Sequence, residues 1–497
     1  MIRRICIWLV VWGACGLSVY AKESKDAKVS THGGSRTSSK ILPVTTSSAK
    51  ARELFERAMV DYENLHLERA TTGWRAAAKE DPDFALAHAW VAFNSRDPQE
   101  VMAERERAKG LLEKVTPGER LMIHWIANVQ EGKFIPGIAA MNDMLAMYPK
   151  DKRLLYLAGN WLMGENGNEP AQKMFERALS IDRNYPAALN DIAYVYARNR
   201  QFEKAFEAMD RYVAVLPTEP NPHDSYGELL RMAGNFDGAL HHYRMALKID
   251  PEFVSSQLGL GDTYALMGNQ QQARIEYDKA VLKASSPADR LDYTMQKALT
   301  LLRENNLADA DKTFTAVAEE AHTQHLSLAE AQAHRRMAEY QSEDAAALQH
   351  LEAAETALKN GKAISESDRQ EETSRILRHR VIRASHAGNQ ELTLTALHDL
   401  ETVANLNSRN AVIQSSYHAA AGAVLMAKQK YAEAIPHLEE DEDDPFSMQL
   451  LSQAYSQTDA NEKMHLVEAR LRGTNVPTLE QALVVPAARS RRPVNLR

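Results

Sequence analysis

Hydrophobic and small residues recur with a period of 34 residues through the middle of the chain. The clearest unit is 220–253, and 118–151, 152–185, 186–219 and 254–287 keep its register without an insertion. A fixed period of this length over five units predicts a stacked, solenoid-like array in which each unit packs on its neighbours. We find no convincing alternating pattern of the kind that predicts strands.

Each unit is predicted to be two antiparallel helices, A and B. In 220–253, helix A is expected over 222–233 and ends at Gly234-Asn235, since both residues tolerate the left-handed conformation found just past a helix C-terminus. Helix B is expected over 236–249, before Pro251 stops it. Small residues repeat where the two helices must approach closely. They are Gly159, Ala193, Gly227 and Gly261 on helix A, and Ala171, Ala205, Ala239 and Ala273 on helix B.

The pattern is strong over 49–287 and weaker over 288–475, where the helical periodicity continues but the small-residue signature fades. Ten or eleven helix pairs are predicted in all. Residues 476–497 hold three prolines and four arginines and are predicted to be a flexible basic tail, with a short helix at 479–483.

The N-terminus has the pattern of a secretory signal. Arg3 and Arg4 precede an apolar stretch, and small residues around Ala21 predict cleavage after residue 21. The alternative is an uncleaved membrane anchor, for which the stretch is short. Residues 22–48 are rich in Ser, Thr, Lys and Gly and are predicted to be a disordered linker. Both cysteines, Cys6 and Cys15, lie inside the signal, so a mature chain would have no disulfide and no thiolate site.

The repeat resembles the tetratricopeptide repeat. The small, aromatic and proline positions of that family are matched together by Gly227, Ala239, Tyr243, Ala246 and Pro251. The resemblance implies an all-α fold, an α-solenoid forming a right-handed superhelix. It also implies that the exposed face of the A helices lines a concave groove that binds a protein or peptide partner. By register, the groove residues are Tyr156, Asn160, Asn190, Tyr194, Arg198, Asp224, Glu228, Arg231 and Asp262.

Composition and motifs argue against several classes of function. A net charge of −8 without a basic stripe argues against a nucleic-acid binder. The chain lacks a phosphate-binding loop, a nucleophile elbow and a metalloprotease motif, so neither catalysis nor a cofactor is predicted. Seventeen histidines are expected to be solvated or at the edge of the core, and the acidic run 439–444 is expected to be a solvated loop.

These observations predict a non-catalytic exported scaffold or adaptor, periplasmic or secreted, that binds a protein or peptide partner in its groove. The first alternative is a membrane-tethered accessory factor in envelope assembly or secretion, which would require the N-terminal segment to remain uncleaved. The second is a glycan-active enzyme, which would require converging carboxylates or histidines in a pocket between 291 and 473. Self-association through the end units is also open.

Overall fold

The computed structural model describes residues 41–490 except 96, 132, 165–166, 362–363 and 409. The described residues form α-helices and one short 3-10 helix, Leu112–Lys114, and contain no strand. The all-α fold class is therefore confirmed. The α-helices are α1 Ala49–Glu63, α2 Leu67–Glu80, α3 Ala85–Asn94, α4 Pro98–Gly110, α5 Pro117–Gln130, α6 Phe134–Met147, α7 Lys152–Gly164, α8 Asn168–Ile181, α9 Pro186–Arg198, α10 Phe202–Val215, α11 Pro220–Met232, α12 Phe236–Ile249, α13 Val254–Leu266, α14 Gln270–Leu282, α15 Pro287–Arg303, α16 Leu307–Thr323, α17 Ser327–Tyr340, α18 Asp344–Asn360, α19 Glu366–His386, α20 Gln390–Leu406, α21 Ala411–Ala427, α22 Tyr431–Glu439, α23 Pro445–Gln457, α24 Asn461–Arg472 and α25 Leu479–Ser490.

Helices α1 to α24 follow one another as A and B helices, and each of the five 34-residue units contains one A helix and one B helix. The described residues therefore hold twelve successive A/B pairs, where ten or eleven were predicted. The difference arises because 327–472 contains four complete pairs whose repeat signature is poor.

Helices A and B can pack closely because glycine has no side chain at the point where they meet. A Cβ added to Gly159 would lie 2.6 Å from the Phe175 ring, and one added to Gly261 would lie 2.8 Å from the Tyr277 ring. Real Cβ atoms do not approach other atoms so closely, so the aromatic residue of helix B occupies the space that a side chain on helix A would need. The predicted role of the small residues follows directly from this geometry.

A change in helix length accounts for the loss of the 34-residue period after the fifth unit. Several later helices are longer, since α15 has 17 residues and α19 has 21. The left-handed turn between helices A and B is kept with or without glycine. Gly234 and Gly388 have φ values of 85° and 72°, whereas Arg200 and Asn305 both have 56°.

The described residues divide into two compact units. The N-terminal unit comprises 41–199 and 210–215, and the C-terminal unit comprises 200–209 and 216–490. Among the described residues, no helix has both the length and the apolar character that crossing a bilayer requires. The predicted signal, 1–21, lies outside the described residues, as do residues 22–40 of the predicted linker and 491–497 of the predicted tail.

The two ends of the described chain differ from their prediction. Residues 41–48 were expected to belong to a disordered linker, but their backbone and side chains bond to the N-terminal unit. Residues 476–490 were expected to belong to a flexible tail, but α25 extends over Leu479–Ser490 and buries four apolar side chains. These are Leu479, Ala482, Val484 and Val485.

Candidate functional site: the A-faces of the two units

The nine predicted groove residues mark one face of the A helices, here called the A-face. Five of them lie in the N-terminal unit and four in the C-terminal unit. They were predicted to be exposed, yet seven are buried and the other two, Asn160 and Arg198, are half-buried. Repeat register predicts which face of a helix a residue lies on. It does not predict which other parts of the chain pack against that face.

In the N-terminal unit the A-face is organised around Asp191, a residue that the sequence analysis did not single out. Asn160 donates a hydrogen bond of 2.9 Å to Asp191 Oδ2, and Asn190 donates one of 3.0 Å to Asp191 Oδ1. The Tyr156 hydroxyl bonds to the same carboxylate. Burial raises the pKa of Asp191, and these hydrogen bonds oppose that rise. Three of the polar groups predicted to meet a peptide therefore bond to this carboxylate instead.

The first helix closes over this cluster. Arg153 on α7 bonds to Glu63 and, at 3.1 Å, to Glu56, and both glutamates lie on α1. The rings of Tyr62 and Tyr156 lie 6.2 Å apart. Burial raises the pKa of Tyr62, with the Asp191 and Glu63 charges adding to the effect. The A-faces of the first and fourth pairs thus meet within the N-terminal unit and leave the predicted groove filled by the chain's own side chains.

Tyr194 and Arg198 complete the predicted set in this unit. Tyr194 is 6% exposed. The Arg198 guanidinium lies 3.4 Å from both the Met163 carbonyl and the Asn168 side-chain oxygen, so it contacts the end of α7 and the start of α8. Both side chains serve contacts inside the unit.

In the C-terminal unit three of the predicted residues form a buried ion cluster. Arg231 is fully buried, and its guanidinium lies 3.2 Å from both Glu228 and Asp262. Tyr277 donates a hydrogen bond of 2.7 Å to Asp262. Burial raises the pKa of Asp262, and the Arg231 charge opposes that rise. Such a cluster is stable because each buried charge has an opposite charge or a hydrogen-bond donor beside it.

The fourth residue, Asp224, is 6% exposed. It accepts a hydrogen bond of 2.6 Å from Ser256, which joins α11 to α13. This contact ties neighbouring A helices together.

The chain's own C-terminal segment covers this A-face. Gln296 on α15 donates to Asp262 at 3.2 Å and to the Pro477 carbonyl at 2.7 Å. Asn475 donates to the Met232 carbonyl at 3.3 Å, at the end of α11. Contacts between residues about 180 and 240 positions apart therefore hold 474–478 against the A helices.

Helix α25 continues from this contact into the core. Leu479 joins the hydrophobic cluster that Leu291, Met295 and Met337 form on α15 and α17. Val484 and Val485 join the cluster that contains Met448, Leu451 and Tyr455 on α23, and Leu483 packs against both clusters. The helix therefore bridges pairs that are several repeats apart in the sequence.

A buried charge network lies near the first turn of α25. Arg335 bonds to Glu339 and, at 2.6 Å, to Glu372. Burial raises the pKa of Glu339 to about 8, although Arg335 opposes the rise. Glu480 at the start of α25 adds negative charge close enough to raise the pKa of Arg335.

Part of the acidic run 439–444 joins this network, which corrects the predicted solvated loop. Asp441 is 6% exposed and lies 3.4 Å from Arg378, and Asp444 lies 2.9 Å from the same guanidinium. Burial raises the pKa of both carboxyls, while Arg378 opposes that rise. Asp443 behaves as predicted, because its side chain is fully exposed.

An extended N-terminal segment, 41–47, lies across the N-terminal unit and is here called the strap. Its residues bond to carboxylates that lie just before A helices or in their first turn. Leu42 N–H donates to Asp151 at 2.8 Å and Thr45 N–H to Glu119 at 2.6 Å. Thr46 and Ser47 donate to Asp81. The hydroxyls and backbone amides of a Ser/Thr-rich sequence are thereby used as hydrogen-bond donors.

Histidines form three pairs in the C-terminal unit. Each pair joins the A and B helices of one hairpin, with Nδ1 atoms 3.0, 3.2 and 3.0 Å apart in His223/His242, His334/His350 and His418/His437. One ring nitrogen must therefore donate and the other accept. In the described part of the chain, no group of three or more His, Cys, Asp or Glu side chains is placed to hold a metal ion.

Comparisons with known proteins found a family profile, curated relatives and solved structures that are similar to parts of this chain. The family profile described as TPR repeat matches residues 227–268. The human protein O-mannosyl-transferase TMTC1 is 24% identical over 154 residues, which are 30% of this chain and 18% of that protein. The TPR repeat-containing protein YpiA of Bacillus subtilis is 23% identical over 188 residues, 36% of this chain and 44% of that protein. The chain thus spans less than half the length of these relatives. A solved tetratricopeptide repeat protein from Parabacteroides merdae matches 55% of this chain and 94% of its own length, at 16% identity and a TM-score of 0.35.

Proposed function

Because this chain is a tetratricopeptide repeat protein, we propose that it is a non-catalytic scaffold that holds polypeptide segments of other proteins against its A helices. A preformed helical array suits this role, since a rigid surface lowers the entropy lost when a flexible segment binds. The partner is a protein or peptide.

One observation carries the proposal: the chain already holds two of its own segments in this way. The strap is bound through backbone and hydroxyl donors to Asp81, Glu119 and Asp151. Helix α25 is bound through aliphatic side chains to two hydrophobic clusters of the C-terminal unit. An extended segment and a helix therefore both find complementary surfaces on this array.

Export is part of the proposal and rests on the signal-like N-terminus. Cell fractionation and N-terminal sequencing of the native protein test it, and a mature N-terminus at Lys22 in the periplasmic or secreted fraction is expected. An intact Met1 in the membrane fraction would favour the tethered accessory factor instead.

The non-catalytic role is supported by how the C-terminal unit uses its ionisable groups. Carboxylates and a histidine do converge between 291 and 473, as the enzyme alternative requires. However, Glu372 and Asp441 are paired with arginines, and Glu339 is 8% exposed beside Arg335 and His379. Burial and pairing with arginines favour a role of these groups in contacts between helices over a role in acid–base chemistry on a substrate.

The direct test is cross-linking in native cells, followed by purification of the tagged chain and mass spectrometry. The proposal predicts enriched proteins whose cross-links map to lysines on A helices, such as Lys297 on α15. A tag-only strain is the control. Enrichment no greater than in that control, or cross-links confined to the B helices α8, α10 and α12, would contradict the proposal.

A further inference from the structure

We propose that the surface beneath α25 is a docking site for an aliphatic helix of a partner protein, and that α25 is an exchangeable occupant of this site. The inference deepens the proposed function and rests on it, because it names the surface and the kind of segment bound. Helix α25 then acts as a tethered ligand that a partner helix displaces.

The chemistry of α25 is that of a bound ligand. Leu479, Ala482, Val484 and Val485 are buried, whereas Pro486, Ala487, Arg489 and Ser490 are exposed. The buried side chains reach two separate hydrophobic clusters, one on α15 to α17 and one on α22 to α24. Residues 479–485 are buried or half-buried on all sides of the helix, and the exposed residues lie at its C-terminal end. A helix that inserts aliphatic side chains between other helices in this way can occupy a groove between them.

The helices beneath α25 keep their own packing partners. Phe314 and Val317 on α16 complete the cluster on α15, and Val467 and Leu471 on α24 complete the cluster on α23. The pairs α15/α16 and α23/α24 therefore bury apolar side chains against each other whether or not α25 is bound. Release of α25 exposes only the part of each cluster that α25 covers.

The attachment of α25 is suited to exchange. A non-helical connection, 474–478, joins it to α24. Hydrogen bonds of this connection reach the A helices at Met232 and Gln296. A 12-residue helix with Pro486 inside it is marginal on its own, so its helical state depends on docking. A partner helix that buries more apolar surface would replace it.

A synthetic, fluorescein-labelled peptide of residues 474–490 tests the proposal in the full-length protein. Val485→Asp places a charge at a fully buried position of α25 and should release the tethered helix. Ala487→Asp places the same charge at the exposed C-terminal end of α25 and is the matched control. By fluorescence anisotropy, the Val485→Asp protein is expected to bind the peptide at least tenfold more tightly than the wild type and the Ala487→Asp protein.

A second variant tests the proposal even if Val485→Asp prevents folding. Asn475→Ala removes the hydrogen bonds to Met232 and from Arg489 without adding a charge to the core, and it should increase peptide binding by a smaller factor. Circular dichroism verifies the helix content of each variant. Folded Val485→Asp or Asn475→Ala protein that fails to bind the peptide would overturn the proposal. So would a wild-type dimer that Val485→Asp dissociates, since the occupant would then come from a second copy.

The peptide assay is independent of the natural partner. If peptide binding is found but native cross-linking enriches nothing, the proposed function fails and the docking surface stands. If native partners are found but their cross-links do not change in Val485→Asp protein, the docking inference fails and the scaffold role stands.

Discussion

Buried carboxylates organise the A-faces at the scale of single residues. Asp191 accepts hydrogen bonds from Asn160, Asn190 and Tyr156, and Asp262 faces Arg231, Tyr277 and Gln296. Repeat register assigned several of these residues to the A-face, and their role in binding a partner stays a prediction. It could not predict their burial, because burial depends on which distant helix packs over that face. Asp191 has no local signal at all, since its role comes from donors on two helices.

The His223/His242 pair provides a pH-dependent prediction. Burial and the neighbouring His223 and His241 rings lower the pKa of His242 to about 4. Between its ordinary value of 6.5 and about 4, the folded protein binds fewer protons than the unfolded chain, so acidification lowers the free energy of unfolding. From pH 7 to pH 5, the free energy of unfolding of the wild type should fall by roughly 1 kcal/mol more than that of His242→Gln. This figure is reduced for solvent screening because the His242 ring is half-exposed.

Chemical denaturation at both pH values measures this difference. Buried carboxyls whose pKa is raised have the opposite effect on stability. Both proteins contain them, so their contribution cancels in the difference between the wild type and His242→Gln. His398→Gln, at an exposed position, is the control and should follow the wild type. Equal pH dependence of His242→Gln and the wild type would show that the pair does not titrate in this way.

At the scale of the element, the main feature is the close packing of paired helices. The sequence predicted helices at 222–233 and 236–249, and the structure has Pro220–Met232 and Phe236–Ile249. Agreement is good here because caps, turn residues and the apolar period all indicate the same bounds. After Pro287 several helices are longer, such as α15 with 17 residues and α19 with 21, and the 34-residue period is lost. Helices were still predictable there, but the pairing pattern was not.

Two glycines on helix α7 test the packing directly. Gly159→Ala would place a Cβ 2.6 Å from Phe175, whereas Gly164→Ala would place one in open space. We expect the first variant to lower the free energy of unfolding by about 1–3 kcal/mol through overpacking. The second should be neutral or stabilising by up to about 1 kcal/mol, since alanine favours a helix more than glycine does.

Urea denaturation followed by circular dichroism at 222 nm measures both variants. The same substitution on the same helix separates local crowding from helix propensity. Similar destabilisation by both variants would contradict the assignment of Gly159 to the contact with Phe175.

At the scale of the whole molecule, the two ends of the described chain decide which surfaces are open. The strap and α25 both occupy A-helix surfaces that the repeat pattern alone presents as free. Their docking was not predictable from local sequence. Residues 41–47 look like a polar linker, and residues 477–490 combine two prolines with only a short apolar run. Gln296 and Pro477 are 181 positions apart, and a contact of this kind produces no periodic pattern in the sequence.

The strap provides a test that does not involve α25. Glu119 is fully buried and accepts hydrogen bonds from the Thr45 N–H and hydroxyl and from the Thr116 N–H and hydroxyl. Glu119→Gln replaces one accepting oxygen with an NH2 group and leaves donors unpaired, at a cost of about 1–3 kcal/mol. Glu113→Gln, whose side chain is 92% exposed, should change stability by less than about 0.5 kcal/mol.

Thermal unfolding and limited proteolysis near residue 45 measure the effect. Glu119→Gln is expected to lower the melting temperature and to speed cleavage at the strap, while Glu113→Gln leaves both unchanged. Unchanged cleavage in Glu119→Gln protein would mean that this carboxylate does not hold the strap.

Amide hydrogen exchange of the full-length wild-type protein, followed by mass spectrometry, tests the central claim most directly. The claim is that the A-helix surfaces bind polypeptide segments and that the chain's own ends demonstrate this. Peptides covering 41–47 and 479–490 should exchange more slowly than a random coil and faster than peptides from α15 and α23, as expected of docked but separable segments. Random-coil exchange in both segments would contradict the account.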